Sequence, residues 1–67
     1  MILEVNTDYA SFCDPWTSKP DPVYRNAELV KILERVIEQL RDSHAENASE
    51  KIFDTNGNQV GYWSTGK

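Results

Sequence analysis

The sequence predicts a single α+β domain in which one amphipathic helix packs on a small three-stranded antiparallel sheet, in the order β-α-β-β. Three observations predict this fold. Residues 1–7 are β-prone, apolar residues recur at helical spacing over residues 26–43, and Asn56-Gly57 separates two further β-prone runs. Since the chain has 67 residues, we expect one domain with a thin core.

The composition limits the class of function. With 39% hydrophobic and 27% charged residues, the chain is too apolar for a disordered protein and too polar for a membrane span. A net charge of -4 disfavours direct binding to DNA or RNA, because that affinity depends on cationic contacts to phosphates. It favours a basic protein partner, and a nucleic-acid-binding protein is one candidate. The single Cys13 and the lack of a basic-then-apolar leader predict the cytoplasm.

The first strand is followed by a long connection. In residues 1–7, Leu3 and Val5 alternate with polar neighbours, as expected of a half-buried strand. Residues 8–25 contain all three prolines and four aromatic residues, and a connection of this length is either functional or packed down by its own side chains. Two interpretations remain open: Phe12 and Trp16 fill the small core, or the exposed part of the Asp14–Asp21 segment binds a partner.

The helix is the clearest element. Asn26 is a suitable N-cap, and an earlier start with Asp21 as N-cap and Pro22 in the first turn is the alternative. One broad stripe of apolar side chains is expected to face the core, with the charged residues on the other side. The stripe consists of Leu29, Val30, Ile32, Leu33, Val36, Ile37 and Leu40. Four members of the stripe also have heptad spacing, which would suit a helix–helix contact, and these are Leu29, Leu33, Val36 and Leu40.

The C-terminal part predicts a hairpin. Asn-Gly is typical of a type I′ turn, in which both central residues have positive φ. With Asn56-Gly57 as a two-residue loop, Phe53 faces Val60 and Ile52 faces Gly61. This register predicts one face under the helix and one open to solvent. The covered face carries Phe53, Val60 and Tyr62, and the open face carries Ile52 and Trp63.

Catalytic and metal sites find little support in the sequence. Nothing in the spacing brings the only cysteine, Cys13, near the only histidine, His44. A structural zinc site needs four such ligands. The run that starts at Asp54 begins like a calcium loop but lacks glycine at its sixth place and glutamate at its twelfth. We therefore expect no enzyme activity, no metal and no cofactor.

Recognition of a protein partner is the expected function, as a monomer or as a homodimer. The candidate contact residues fall on the end of the hairpin, on the acidic side of the helix and in the aromatic connection. They are Ile52, Tyr62 and Trp63, then Glu34, Glu38 and Asp42, and finally Trp16.

A resemblance adds a class of protein to this expectation. The pattern Asp54-x-Asn56-Gly57-Asn58-x-Val60-Gly61-x-Trp63 after an amphipathic helix resembles the ending of short accessory proteins encoded by phages and prophages. The resemblance is limited to the C-terminal hairpin. It implies an inhibitor that occupies a host complex, as anti-CRISPR and other anti-defence proteins do. The alternative is a small structural or regulatory protein that dimerises through its helix or a sheet edge.

Overall fold

The computed structural model describes residues 1–44 and 46–66. It contains strand β1 (Ile2–Val5), a 3₁₀ turn (Ala10–Phe12), helix α1 (Pro22–Asp42), strand β2 (Ser49–Phe53) and strand β3 (Gln59–Ser64). The strands form one antiparallel sheet in the order β1-β3-β2, so β3 is the central strand. The predicted α+β class and the β-α-β-β order are confirmed.

Helix α1 begins at the earlier of the two predicted positions. The side chain of Asp21 accepts the N–H of Val23 at 2.8 Å, and Pro22 occupies the first turn, where its missing N–H has no helical acceptor to lose. Asn26 lies inside the helix, so the later start was wrong. Arg41 lies in the last turn, where a cation interacts favourably with the helix dipole.

The hairpin turn differs from the predicted type I′ turn. The N–H of Gly57 donates to the carbonyl of Asp54 at 3.1 Å, and the N–H of Asp54 donates to the carbonyl of Asn58 at 2.9 Å. Within the turn, only Gly57 has a positive φ, at 83°. These bonds define a turn through Thr55 and Asn56 followed by a left-handed glycine, which makes the loop one residue longer than predicted.

A bulge in β3 follows from the longer loop. Ile52 pairs with Gly61 as predicted, but Phe53 pairs with Gln59, so β3 advances two residues while β2 advances one. Val60 is the extra residue. The bulge allows Val60 to point to the same side of the sheet as Ile52, although strict alternation would separate them.

The helix covers the opposite face of the sheet from the one predicted. Ile52 and Trp63 are buried, and Trp63 is only 1% exposed, whereas Phe53 and Tyr62 lie on the open side. The open-face prediction for Ile52 and Trp63 was therefore wrong. The physical reason is volume: the indole of Trp63 fills the space beneath the helix. Among the described residues, the buried core cluster consists of Phe12, Ile32, Val36, Ile52, Val60 and Trp63.

Helix α1 is rotated about its axis relative to the prediction. It buries Glu28, Ile32 and Val36. Part of the predicted core stripe instead faces solvent, where Val30, Leu33 and Ile37 are 54%, 41% and 47% exposed. Burial of Val36 is confirmed, and burial of Leu33 was wrong. The outer side of the helix therefore carries apolar surface that the domain itself does not cover.

Candidate partner-binding surface

The segment Cys13–Pro20 folds into a narrow, hydrogen-bonded loop, which we call the Trp16 loop. Its ends meet in an antiparallel bridge between Cys13 and Pro20. Above the bridge, the N–H of Asp14 donates to the carbonyl of Lys19 at 2.9 Å, and the N–H of Ser18 donates to the carbonyl of Asp14 at 2.8 Å. The two arms of the loop are therefore tied together along its length.

The tip of the Trp16 loop is fixed by short-range side-chain contacts. One carboxylate oxygen of Asp14 accepts the N–H of Trp16 at 2.7 Å, and the hydroxyl of Thr17 accepts the N–H of Lys19 at 3.3 Å. Ser18 adopts a φ of 58°, in the left-handed region that residues with a Cβ adopt uncommonly. Such a conformation persists where the surrounding contacts hold it, as the bonds to Asp14 do here.

Trp16 is displayed at this tip. Its side chain is 88% exposed, whereas Phe12, four residues earlier, is 1% exposed in the core. The core interpretation of the connection is thus confirmed for Phe12 and wrong for Trp16. Tryptophan is highly buried on average, and it is enriched among the residues that dominate binding energy at protein interfaces.

The Trp16 loop stands on two anchors. On one side, the 3₁₀ turn inserts Phe12 into the core, and the hydroxyl of Ser11 donates to a carboxylate oxygen of Asp54 at 2.7 Å. On the other side, Asp21 caps helix α1. Both arms of the loop therefore emerge from well-packed parts of the domain, which holds Trp16 in a defined position.

A cleft of about 400 Å³ lies at the base of the Trp16 loop. Its walls combine the apolar surfaces of Phe12 and Pro22 with the charged groups of Asp8, Asp21 and Arg25. A partner that covers Trp16 would find a concave surface beside it, with both carboxylates and a guanidinium available for hydrogen bonds.

Of the three residues predicted to bind a partner at the end of the hairpin, only one is exposed. Ile52 and Trp63 are in the core and are not available to a partner, and Tyr62 is exposed. Tyr62 lies between Glu4 of β1 and Lys51 of β2 on the open sheet face. This face is mixed in character, with one aromatic ring between two opposite charges.

The predicted acidic side of the helix is exposed but not strongly negative. Glu34, Glu38 and Asp42 all face solvent. Three cationic residues interleave with them, and Arg41 Nη1 lies 3.3 Å from Glu38 Oε1. The interleaved charges weaken any field that could attract a basic partner along the helix.

Two other carboxylates are buried and serve the fold. Glu28 accepts the N–H of Thr55 at 3.0 Å, which joins helix α1 to the hairpin turn. The prediction that Glu28 lies on the wet side of the helix was wrong. Asp54 accepts the N–H groups of Asn56 and Asn58 at 2.9 Å and 2.8 Å. Burial raises the pKa of Asp54, but the hydrogen bonds from Ser11, Asn58 and Asn56 outweigh it and place the pKa below its ordinary value.

The remaining reactive side chains are dispersed. The Sγ of Cys13 donates to the carbonyl of Tyr9 at 3.7 Å, and His44 is exposed just beyond α1. Within residues 1–44 and 46–66, no three His, Cys, Asp or Glu side chains are grouped as metal ligands. In the same described residues, no helix has the length and apolar character needed to cross a membrane.

The sequence did not identify the exposed apolar side of α1 as a separate surface. Val30, Leu33 and Ile37 share helical spacing with the true core residues, so periodicity alone assigned both groups to one stripe. The heptad spacing noted in the sequence does not mark this surface, since Val36 is buried and Leu29 and Leu40 pack against the core. No protein-family model, curated protein or solved structure matches this chain.

Proposed function

We propose that this chain is a non-enzymatic protein-binding module that occupies its partner through the Trp16 loop. The observation that carries the proposal is the 88% exposure of Trp16 on a loop closed by its own hydrogen bonds. A large aromatic side chain buries roughly 150–250 Å², and each Å² contributes about 25 cal/mol. Covering Trp16 therefore supplies on the order of 4 kcal/mol before the costs of association are subtracted.

The order of the loop supports a binding role. A flexible loop loses conformational entropy when it is fixed at an interface, and that loss reduces affinity. Asp14 accepts the N–H groups of Trp16 and Ser18 and donates its own N–H to Lys19, and these bonds already hold the Trp16 loop in one shape. Binding therefore costs less conformational entropy, and more of the free energy from covering the indole contributes to affinity.

The charge around the loop favours a basic partner. Asp8, Asp14 and Asp21 surround the Trp16 loop, against Lys19 and Arg25, and the chain as a whole has a net charge of -4. An arginine or lysine of the partner can stack on the exposed indole in a cation–π contact while its charge is balanced by these carboxylates. A basic nucleic-acid-binding protein has such side chains in abundance.

The placement of reactive groups supports the non-enzymatic part of the proposal. The buried carboxylates, Glu28 and Asp54, both accept backbone N–H groups and hold the hairpin turn. Cys13 and His44 belong to separate parts of the described fold and share no hydrogen bond with each other. A nucleophile beside an oriented base would be needed for covalent catalysis.

We further propose that the chain is an inhibitor that occupies a host complex in the cytoplasm. The resemblance of the C-terminal pattern to phage and prophage accessory proteins supports this form. An inhibitor of this kind needs an anchor, a defined shape and charge complementary to its target, and it needs no catalytic group.

Capture from a bacterial lysate tests the proposal. The immobilised chain, its Trp16→Ala variant and its Tyr62→Ala variant would be compared by quantitative mass spectrometry of the retained proteins. We expect one protein that the original chain and Tyr62→Ala retain and that Trp16→Ala loses. Equal retention by all three chains would contradict the role of the loop, and loss with Tyr62→Ala alone would move the contact to the open sheet face.

A further inference from the structure

We infer that the open sheet face packs against the same face of a second copy of this chain, with reciprocal Glu4–Lys51 ion pairs. This face is the side of the sheet that lies away from helix α1. It carries three large side chains that the domain leaves partly exposed, Ile2 at 41%, Phe53 at 41% and Tyr62 at 38%. The contact lies outside the Trp16 loop and goes beyond the proposed function.

Three residues form a row across the open sheet face. Tyr62 of the central strand β3 pairs with Glu4 of β1 on one side and with Lys51 of β2 on the other. Residues directly opposite each other in an antiparallel sheet point to the same side, and neighbouring strands are about 4.8 Å apart. The carboxylate and the ammonium group therefore lie on either side of the ring. Within the described residues, neither group belongs to an ion pair.

This row is complementary in charge to its own copy. A two-fold axis that runs along β3, above Tyr62, turns the second copy face down and exchanges the two edges of its sheet. Glu4 then faces Lys51 of the second copy, and Lys51 faces Glu4 of the second copy. An axis across the strands at the same point would set Glu4 against Glu4 and Lys51 against Lys51. Because like charges in contact oppose association, the row selects the axis along β3.

An axis along the central strand also covers the whole open sheet face. Strand β3 of each copy lies over β3 of the other, and β1 of each copy lies over β2. Stacked sheets are about 10 Å apart with strands within about 30° of each other, a gap that a glutamate and a lysine side chain bridge together. Tyr62 lies next to Tyr62 of the second copy at the centre, where two rings stack with an offset.

The shape of the face agrees with the same arrangement. A shallow concavity of about 360 Å³ lies on the β2 side of the open sheet face, lined by Tyr62 and by residues of β2 that include Ser49. Ile2 and Ser49 both pair with Ser64, so they lie in one row on opposite sides of β3. The axis along β3 therefore sets Ile2 of the second copy above Ser49. A large exposed side chain thus meets a short one at a concave part of the surface.

Charge reversal tests the pairing. Sedimentation equilibrium from micromolar to millimolar concentration would be measured for the original chain, Glu4→Lys, Lys51→Glu and the double variant. We expect a dimer for the original chain. Each single variant should associate at least about tenfold more weakly, about 1.4 kcal/mol, because it turns both ion pairs into like-charge contacts. The double variant exchanges the two charges and should recover the dimer. Arg35→Glu changes the net charge as Lys51→Glu does but lies on the helix, so it should dimerise normally.

A second pair of variants tests the shape of the contact. Ile2→Ser removes the side chain that lies above the concavity and should weaken association. Val23→Ser removes an aliphatic side chain that is 72% exposed on α1, away from the open sheet face, and should leave association unchanged. Circular dichroism should show an unchanged fold in every variant, because all the substituted side chains are exposed.

Three results would overturn the inference. The first is an original chain that remains monomeric throughout this range, which would leave the open sheet face to another protein. The second is a double variant that associates no better than the single variants. The third is an Ile2→Ser variant that associates as the original chain does. None of these results bears on capture through Trp16, so the two proposals fail separately.

Discussion

The indole N–H of Trp63 donates a hydrogen bond to the side-chain oxygen of Gln39 at 2.7 Å. This bond links the central strand to helix α1 and satisfies the only polar atom of a side chain that is otherwise surrounded by apolar groups. The bond also helps to hold α1 in one rotation about its own axis. With Gln39 directed at the core, Leu33 and Ile37 are turned to solvent.

Replacing Gln39 by leucine should destabilise the fold. The change leaves the buried indole N–H without an acceptor, which costs about 1–3 kcal/mol of unfolding free energy. Urea unfolding followed by circular dichroism measures the loss. Glu38→Leu also introduces leucine, at the neighbouring exposed position, and removes only an exposed ion pair with Arg41. It should therefore change stability less, and equal effects of the two replacements would show that the bond has no special role.

The stability of the domain should fall in acid because Asp54 becomes protonated. Its pKa in the folded chain lies below the ordinary value of 3.8, so its stabilising effect is present above that value and is lost as the pH falls through the folded pKa. Unfolding free energies measured from neutral pH to below 3.8 should therefore converge for the original chain and Asp54→Asn. At neutral pH the variant should be less stable by about 1–3 kcal/mol. A constant difference at all pH values would contradict this role.

Gly61 should not tolerate a side chain. A Cβ at this position would collide with the carbonyl oxygen of Glu4 and lie 2.8 Å from its carbonyl carbon, so β1 would have to move away from β3. We expect Gly61→Ala to cost about 3 kcal/mol, the upper end of the usual cost of overpacking, and to expose the amides of β1 to hydrogen exchange. Gly57→Ala has open space around it and should cost only about 1–2 kcal/mol through its positive φ.

The two tryptophans should differ in their access to solvent. Trp16 is exposed and Trp63 is buried, so acrylamide should quench one component of the fluorescence efficiently and the other poorly. Trp16→Phe should remove the quenchable, red-shifted component and leave a blue-shifted emission. Persistence of strong quenching in that variant would place Trp63 in solvent and contradict the described core.

The sequence was sufficient for the element order because each element has a strong local signal. The heptad and helical spacing, the Asp21-Pro22 start and the Asn56-Gly57 turn are all short-range patterns. The covered face of the sheet was predicted wrongly although Ile52 pairs with Gly61 as expected. Strand pairing determines which side chains share a face, but the face that the helix covers depends on packing, and here Trp63 fills the space beneath the helix. Only the side on which Val60 lies depends on the bulge.

The candidate surface was predicted only in part. Trp16 was among the expected contact residues, but periodicity cannot show whether an aromatic residue in a long connection fills the core or points outward. That outcome depends on the cross-loop bonds of Asp14 and on the space already filled by Phe12 and Trp63. Phe12 is buried and Trp16, four residues later, is exposed. Packing, and not residue type, therefore determines which aromatic side chain enters the core.

Isothermal titration of the captured partner with the original chain and with Trp16→Ala tests directly whether the Trp16 loop holds the partner. A residue that dominates an interface contributes at least about 2 kcal/mol, so we expect a Kd at least about thirtyfold weaker for the variant. The same Kd for both chains would show that Trp16 does not hold the partner.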